Sequence, residues 1–221
     1  MKYRILGKSK LKVSVIGIGT WQLGGEWGKD FTVDEVIDML KAARDLGVNF
    51  IDTAECYGDH KSESLIGQAI GSGKVGQRKD WIIATKFGHT FHGHLNRTDD
   101  RSAKDVISQL DLSLKALQTD YIDLYQYHSI RDGEFANPEL QQFLGIAKQA
   151  GKIRHIGNSI ANSGNADGRI QVDASTASDV DAIQIVYNRL ERKHEEYVLG
   201  SCQKQNLGVL ARVPLASGLL P

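Results

Sequence analysis

Residues 51–58 read IDTAECYG, with an acid, Asp52, ending an apolar run and a phenol, Tyr57, in the turn that follows. A free phenol titrates near pH ~10, so it is a poor proton donor or acceptor near neutrality unless a neighbouring charge stabilises its anion. Two further apolar runs also end on groups that could do chemistry: WIIATK on Lys86 and YIDLYQYH on His128. An ammonium beside Tyr57 would favour phenolate and lower the tyrosine pKa, while Asp52 would keep that ammonium charged and aimed. His128 could donate a hydrogen bond to an oxygen held by the phenol. The four together describe a proton donor of tuned acidity beside a place where charge develops on a carbonyl oxygen. That chemistry is carbonyl reduction, and because side chains supply no hydride it requires a nicotinamide cofactor.

Each residue alone has an ordinary explanation. Asp52 could be a turn or cap residue, Lys86 a solvated surface lysine, Tyr57 a half-buried aromatic, and His128 a histidine satisfied by its neighbours. Four of them at the ends of successive strands favour the chemical reading.

Those ends must be positioned by a scaffold. Apolar, β-branched runs recur at 13–19, 48–52, 81–86, 121–128, 152–159, 180–188 and 207–215, after an N-terminal hairpin of YRIL, GKSK and LKVSV. Between them lie helical patterns. Thr32 caps one that carries Val33, Ile37, Leu40 and Ala43 on a stripe, with Glu35 in the capping-box position and Gly47 as its stop. SAKDVISQLDLSLKALQ carries Val106, Leu110, Leu114 and Leu117, and PELQQFLGIAKQAGK opens on Pro138 and stops at Gly151. Strands alternating with helices predict a parallel sheet covered by helices, either an open doubly wound sheet or a (β/α)8 barrel. GIGTWQLGG does not fit the dinucleotide fingerprint, which weakens the open-sheet reading. A barrel builds its active site from the C-terminal ends of its strands, and here those ends carry Asp52, Lys86, His128, Ser159 and Gln184 with Asn188. The expected fold is a (β/α)8 TIM barrel, one domain over 1–221, with seven βα units visible and the eighth missing from this chain.

The motifs GIGTWQLGG, FIDTAECYG, IIATKFG, LYQYH, GKIRHIGNS, IQIVYN and ARVPLASGLL resemble, in order and spacing, the aldo-keto reductase family. The resemblance implies the barrel fold, a catalytic tetrad of Asp52, Tyr57, Lys86 and His128, and NADPH (NADH less often) at the C-terminal face. It implies that Gly19, Thr20 and Trp21 line the nicotinamide end and that Ser159 and Gln184 hold the carboxamide. Arg212, Pro214, Leu215, Ser217 and Gly218 would contact the nicotinamide and pyrophosphate. The chain departs from the family pattern in three places. Ile160 stands where an Asn is common, and Asn158 points the other way along its strand. Arg212 stands where an aromatic residue often stacks, though a guanidinium also stacks on a flat ring. The chain ends at Pro221, where relatives continue through an eighth unit; that element is expected from beyond this segment or from a second chain.

Composition bounds the remaining readings. Lys and Arg number 27, as do Asp and Glu, so no strong field favours nucleic acid or anionic membrane. QRKD at 77–80 and RLERKHEE at 189–196 read as charged helix faces or loops. Cys56 and Cys202 match no metal or redox spacing and read as free thiols. His89, His92 and His94 fall in GHTFHGHLNR with no carboxylate or cysteine at ligand spacing, so a solvated loop and no metal site are expected. The segments 89–97 and 129–135 are expected to border the substrate pocket. The N-terminus lacks an apolar signal core, and no run approaches the ~20 apolar residues of a membrane span. A soluble, cytoplasmic protein acting on a small-molecule carbonyl substrate is expected. Two alternatives share the fold: a non-catalytic barrel that senses nicotinamide nucleotide, and an aldolase-like enzyme using Lys86 as a Schiff base.

Overall fold

The structure is a computed structural model that describes residues 1–130, 132–135, 137–161 and 168–220. The chain opens with the antiparallel hairpin β1 (Tyr3–Ile5) and β2 (Lys12–Ser14). The expected run at 13–19 therefore divides, its first part in the hairpin and its last two residues forming β3 (Ile18–Gly19). Then follow α1 (Val33–Asp45), β4 (Phe50–Asp52), α2 (Lys61–Gly71), β5 (Ile82–Phe87), the hairpin β6 (His89–Gly93) and β7 (Asn96–Asp99), α3 (Ala103–Ala116) and β8 (Ile122–His128). The second half carries α4 (Asp132–Phe135), α5 (Pro138–Gln149), β9 (Ile153–Ser159), α6 (Arg169–Ala174), β10 (Val180–Val186), α7 (Val198–Lys204) and β11 (Gly208–Arg212).

Seven strands form one parallel sheet in the order β11-β10-β9-β8-β5-β4-β3. The sheet is strongly curled. Gln184 at the end of β10 donates to Asp52 at the end of β4 over 3.0 Å, although β9, β8 and β5 lie between them along the sheet. Only a sheet bent toward closure brings those ends together, and this is the (β/α)8 fold with seven units visible. No helix among the described residues is long and apolar enough to cross a membrane.

Apolar residues fill two layers. The larger lies between helices and sheet and includes Ile37, Leu40, Ile66, Ile83, Val106, Leu110, Ile156 and Ile183. The smaller lies inside the curl, where Leu6 and Val13 of the N-terminal hairpin meet Phe50, Ala84, Leu124 and Ala182. The capping box of Thr32 and Glu35 starts α1 as its sequence implies, although Val36 replaces Val33 on the fully buried stripe. α2 was not anticipated from the sequence. Leu65, Ile66, Ala69 and Ile70 bury one face of it, and Gly67 and Gly71 lie within it.

At the opposite end of the sheet, charge clamps the strand starts. Arg78 is no free surface cation: it donates to Asp123 at 2.8 Å, to the carbonyls of Trp81 and Tyr121, and to Thr119. Asp123, only 2% exposed, also accepts from the backbone N–H of Ile83 and from Arg154. Both guanidiniums lie over the Tyr121 ring, at 4.1 and 3.7 Å. Removing Arg78 takes away the better-buried of the two cations that balance a buried carboxylate, so Arg78→Met should cost about 3 kcal/mol of unfolding free energy. Half-exposed Arg154 is a weaker partner, and Arg154→Met should cost under about 1 kcal/mol. Urea unfolding of both variants checks this; equal losses would show that burial does not set the strength of the clamp.

Candidate active site

The ends of β3, β4, β5, β8, β9, β10 and β11 surround one cavity of about 710 Å³. Asp52, Tyr57, Lys86 and His128 all line it. So do Gly19, Thr20 and Trp21 on one wall and Ser159 and Gln184 on the floor. Arg212, Pro214, Leu215, Ser217 and Gly218 line it as well. Asn188 is not among them. It stabilises its own turn, accepting from the backbone of Leu190 and Glu191 and donating to the Val213 carbonyl.

Lys86 organises the floor. It is 1% exposed, far from the solvated lysine that its type alone suggests. Its Nζ donates to Asp52 Oδ2 at 2.8 Å, to the Thr53 carbonyl at 2.7 Å and to the Tyr57 hydroxyl at 3.2 Å. Those three acceptors use all three ammonium protons. Burial alone would strip the charge, but Asp52, then Tyr57, outweigh it and hold Lys86 above the ordinary lysine range. Asp52 Oδ1 in turn accepts from Gln126 at 3.1 Å and Gln184 at 3.0 Å, and Ser159 donates to Gln184 at 2.9 Å. Gln126 was missed in the sequence reading; the signal was a lone amide at an inward position of the apolar run IDLYQYH. It pairs in register with Gly157, where a Cβ would stand 2.8 Å from the Gln126 side chain. The glycine leaves room for the amide to reach Asp52.

Tyr57 is placed by a turn packed tightly against the segment 21–24. Gly58 has φ +66°, and a Cβ there would meet the Gly24 carbonyl oxygen at 2.1 Å, so both conformation and space require glycine. Trp21 stacks on Tyr57 with centroids 6.1 Å apart, and its indole N–H is fixed by Glu26. The expectation that Lys86 makes this phenol more acidic than usual needs correction. Burial raises the Tyr57 pKa by more than Lys86 lowers it, and Asp52 adds to the rise. The resting group is a phenol.

His128 stands edge-on to Tyr57, centroids 6.1 Å apart. Burial, and then the positive charges around it, push its pKa well below the ordinary value, so it is a neutral imidazole. Its Nδ1 lies 3.6 Å from the Cys56 thiol. The segment 89–97 is a β-hairpin and not a solvated loop, and His89 and Arg97 line the cavity. Of 129–135, Ser129 lines it and Arg131 lies outside the described residues. Asn158 is buried and donates to Gln171 of α6, away from the cavity, and Ile160 belongs to the apolar layer. Thr20 directs its hydroxyl to the Asp52 carbonyl at 3.0 Å. Cys56 and Cys202 are unpaired, buried thiols.

A parallel βα sheet curled around a cavity at its C-terminal ends, with a few convergent polar groups in a largely apolar lining, defines a barrel protein with an enzyme-like site. The model of the aldo/keto reductase family matches residues 15–221, and the chain belongs to that family. It is 35% identical over 224 residues to the aldo-keto reductase YhdN of Bacillus subtilis strain 168, an alignment covering 100% of this chain and 64% of that protein. It is 32% identical over 233 residues to the NADH-specific methylglyoxal reductase of Escherichia coli K12, covering 100% of this chain and 69% of that protein. The holo form of aldo-keto reductase AKR11C1 from Bacillus halodurans superposes with a TM-score of 0.85 at 32% identity, covering 100% of this chain and 68% of that one. The chain thus spans about two thirds of the length of these relatives.

The Lys86–Asp52 pair makes a stability prediction of its own. Asp52→Asn removes the charge that holds a buried ammonium, so Lys86 should titrate lower and the fold should lose about 3–5 kcal/mol. Direct NMR titration of the Lys86 Nζ, with urea unfolding alongside, tests this. An unmoved Lys86 would mean that some group other than Asp52 keeps it charged.

Proposed function

We propose that this chain carries the catalytic site of a nicotinamide-dependent reductase of aldehyde or ketone carbonyls. The observation that supports this most directly is the Lys86 ammonium, held between the Asp52 carboxylate and the Tyr57 hydroxyl on the floor of an open cavity. Tyr57 gives its proton to the carbonyl oxygen. Lys86 stabilises the phenolate left behind, and Asp52 keeps Lys86 charged while the reaction runs. In this reading the Cys56 thiol, kept protonated by burial, acts as donor to His128 Nδ1, 3.6 Å away. That contact favours the tautomer with its N–H on Nε2, which then donates to the same carbonyl oxygen.

The wall residues fit a nicotinamide nucleotide. Ser159 Oγ and Gln184 Oε1 each retain an acceptor lone pair, which suits a carboxamide NH₂. Arg212 Nε is a buried donor without a partner among the described residues, which suits an oxygen of the cofactor. Gly19, Thr20 and Trp21 would bound the nicotinamide ring, and Pro214, Leu215, Ser217 and Gly218 the pyrophosphate side. When bound, the nicotinamide supplies the hydride to the carbonyl carbon. NADPH is the expected form and NADH the alternative; the NADH-specific relative supports carbonyl reduction on this scaffold and the use of a small oxoaldehyde as first substrate.

Tyr57→Phe removes the proton donor and leaves the ring. It should lower carbonyl reduction by at least about 10³-fold, while the affinity for reduced cofactor, read by its fluorescence, changes by less than about threefold. Turnover that survives the substitution would reject Tyr57 as the acid. Cofactor binding without turnover of any aldehyde in the unaltered protein would favour a sensor.

A further inference from the structure

His128 also belongs to a cluster that carbonyl reduction does not require. Glu55 and Cys56 in the turn after β4, His89 at the start of β6 and His128 at the end of β8 each present one donor atom, all within 4.8 Å of one another. Cys56 Sγ lies 3.6 Å from His128 Nδ1, His89 Nδ1 lies 3.6 Å from Glu55 Oε1, and His128 Nδ1 lies 3.9 Å from Glu55 Oε2. Metal–ligand bonds of about 2.0–2.3 Å in a tetrahedron separate neighbouring donors by roughly 3.3–3.8 Å. The cluster already has nearly that spacing.

Two observations point to a guest at its centre. Glu55 is 2% exposed, and among the described residues its Oε2 has no hydrogen-bond partner; buried His89 Nδ1 has none there either. Unsatisfied atoms of this kind are costly unless something binds them. The other nitrogen of His89, Nε2, lies 3.5 Å from Asp99, the carboxylate backing that metal-bound imidazoles commonly have. Glu55 Oε1 accepts from the backbone N–H of His89, which orients the carboxylate. Two of the nearby cations are matched elsewhere, Arg97 by Glu26 and Lys86 by Asp52. The Glu55 carboxylate and a Cys56 thiolate are therefore left to balance a dication.

We propose that Glu55, Cys56, His89 and His128 form a binding site for a thiolate-preferring divalent transition metal of the Zn²⁺ class. One thiolate, two imidazoles and one carboxylate suit Zn²⁺ and exclude Mg²⁺ and Ca²⁺, which take oxygen ligands. The expectation of no metal site rests on spacing along the chain, for Cys56 and Cys202 as for His89, His92 and His94. The fold instead recruits His89 to Glu55 and Cys56, while His92 and His94 stay exposed on the hairpin. The metal takes the place of the thiol proton at His128 Nδ1, so binding is independent of whether the site reduces carbonyls.

Cobalt reports the site without any turnover. The protein is titrated with Co²⁺ alone, under argon and free of chelating reductants. One equivalent should produce the intense visible bands of a tetrahedral centre and a thiolate-to-metal charge-transfer band, and one equivalent of Zn²⁺ should remove them. Cys56→Ser should abolish the charge-transfer band and weaken Zn²⁺ binding at least about tenfold. His89→Gln should weaken binding while keeping that band. Cys202→Ser and the pair His92→Gln and His94→Gln should change neither, with circular dichroism verifying that every variant is folded. Absence of the charge-transfer band overturns the site, and so does a cobalt spectrum that survives Cys56→Ser or disappears with His92 and His94.

Discussion

A lysine ammonium removed almost wholly from water must be matched charge for charge and proton for proton, or it loses its proton. Lys86 meets that demand through Asp52, the Thr53 carbonyl and the Tyr57 hydroxyl. The requirement propagates outward. Asp52 can serve as counterion only if its second oxygen is also held, which brings in the amides of Gln126 and Gln184 and, behind them, the Ser159 hydroxyl. One buried charge thus fixes side chains on β4, β5, β8, β9 and β10.

Such a network constrains the backbone as much as the side chains. Asp52 and Gln184 belong to strands separated by three others, so their hydrogen bond exists only at the curvature the sheet adopts. Parallel pairing aligns Lys86 with Gln126 and Gln126 with Gly157, which keeps the amide on the inner face. The apolar plug of Leu6, Val13, Phe50, Ala84, Leu124 and Ala182 occupies the same interior one layer down. Polar residues above and apolar residues below divide the curl into a site and a core, and the Arg78–Asp123 clamp secures the strand starts beneath both.

Much of this was legible in the sequence because parallel strands buried on both faces read as apolar runs, and a polar residue closing such a run stands out. Asp52, Lys86 and His128 were found that way, and the alternation of runs with capped helical stripes gave the barrel. What was hidden depended on contacts between distant segments. The helix α2 shows its apolar face only over the short stretch from Leu65 to Ile70, and the hairpin of β6 and β7 is too polar to look like paired strands. Arg78 looked like a surface cation because its partner, Asp123, is 45 positions away. The cluster of Glu55, Cys56, His89 and His128 draws on three separate strand ends, so no local spacing announces it. The direction of the Tyr57 pKa is hidden for a related reason: a sequence names the neighbouring cation but does not show how deeply the phenol is buried.

That reversal strengthens the case for reduction. A phenolate at rest could not donate a proton to a carbonyl, whereas a phenol kept intact by burial can. In the proposed reaction the ammonium would do its main service after the proton has left, when the phenolate would otherwise stand uncompensated in a poorly solvated pocket. An interaction that is modest with the neutral phenol and strong with its anion favours the transition state over the ground state, which is what acceleration requires. In the proposed reaction the same depth that makes Tyr57 a weak acid in isolation makes Lys86 an effective partner, because both effects arise from the exclusion of water around one hydrogen bond.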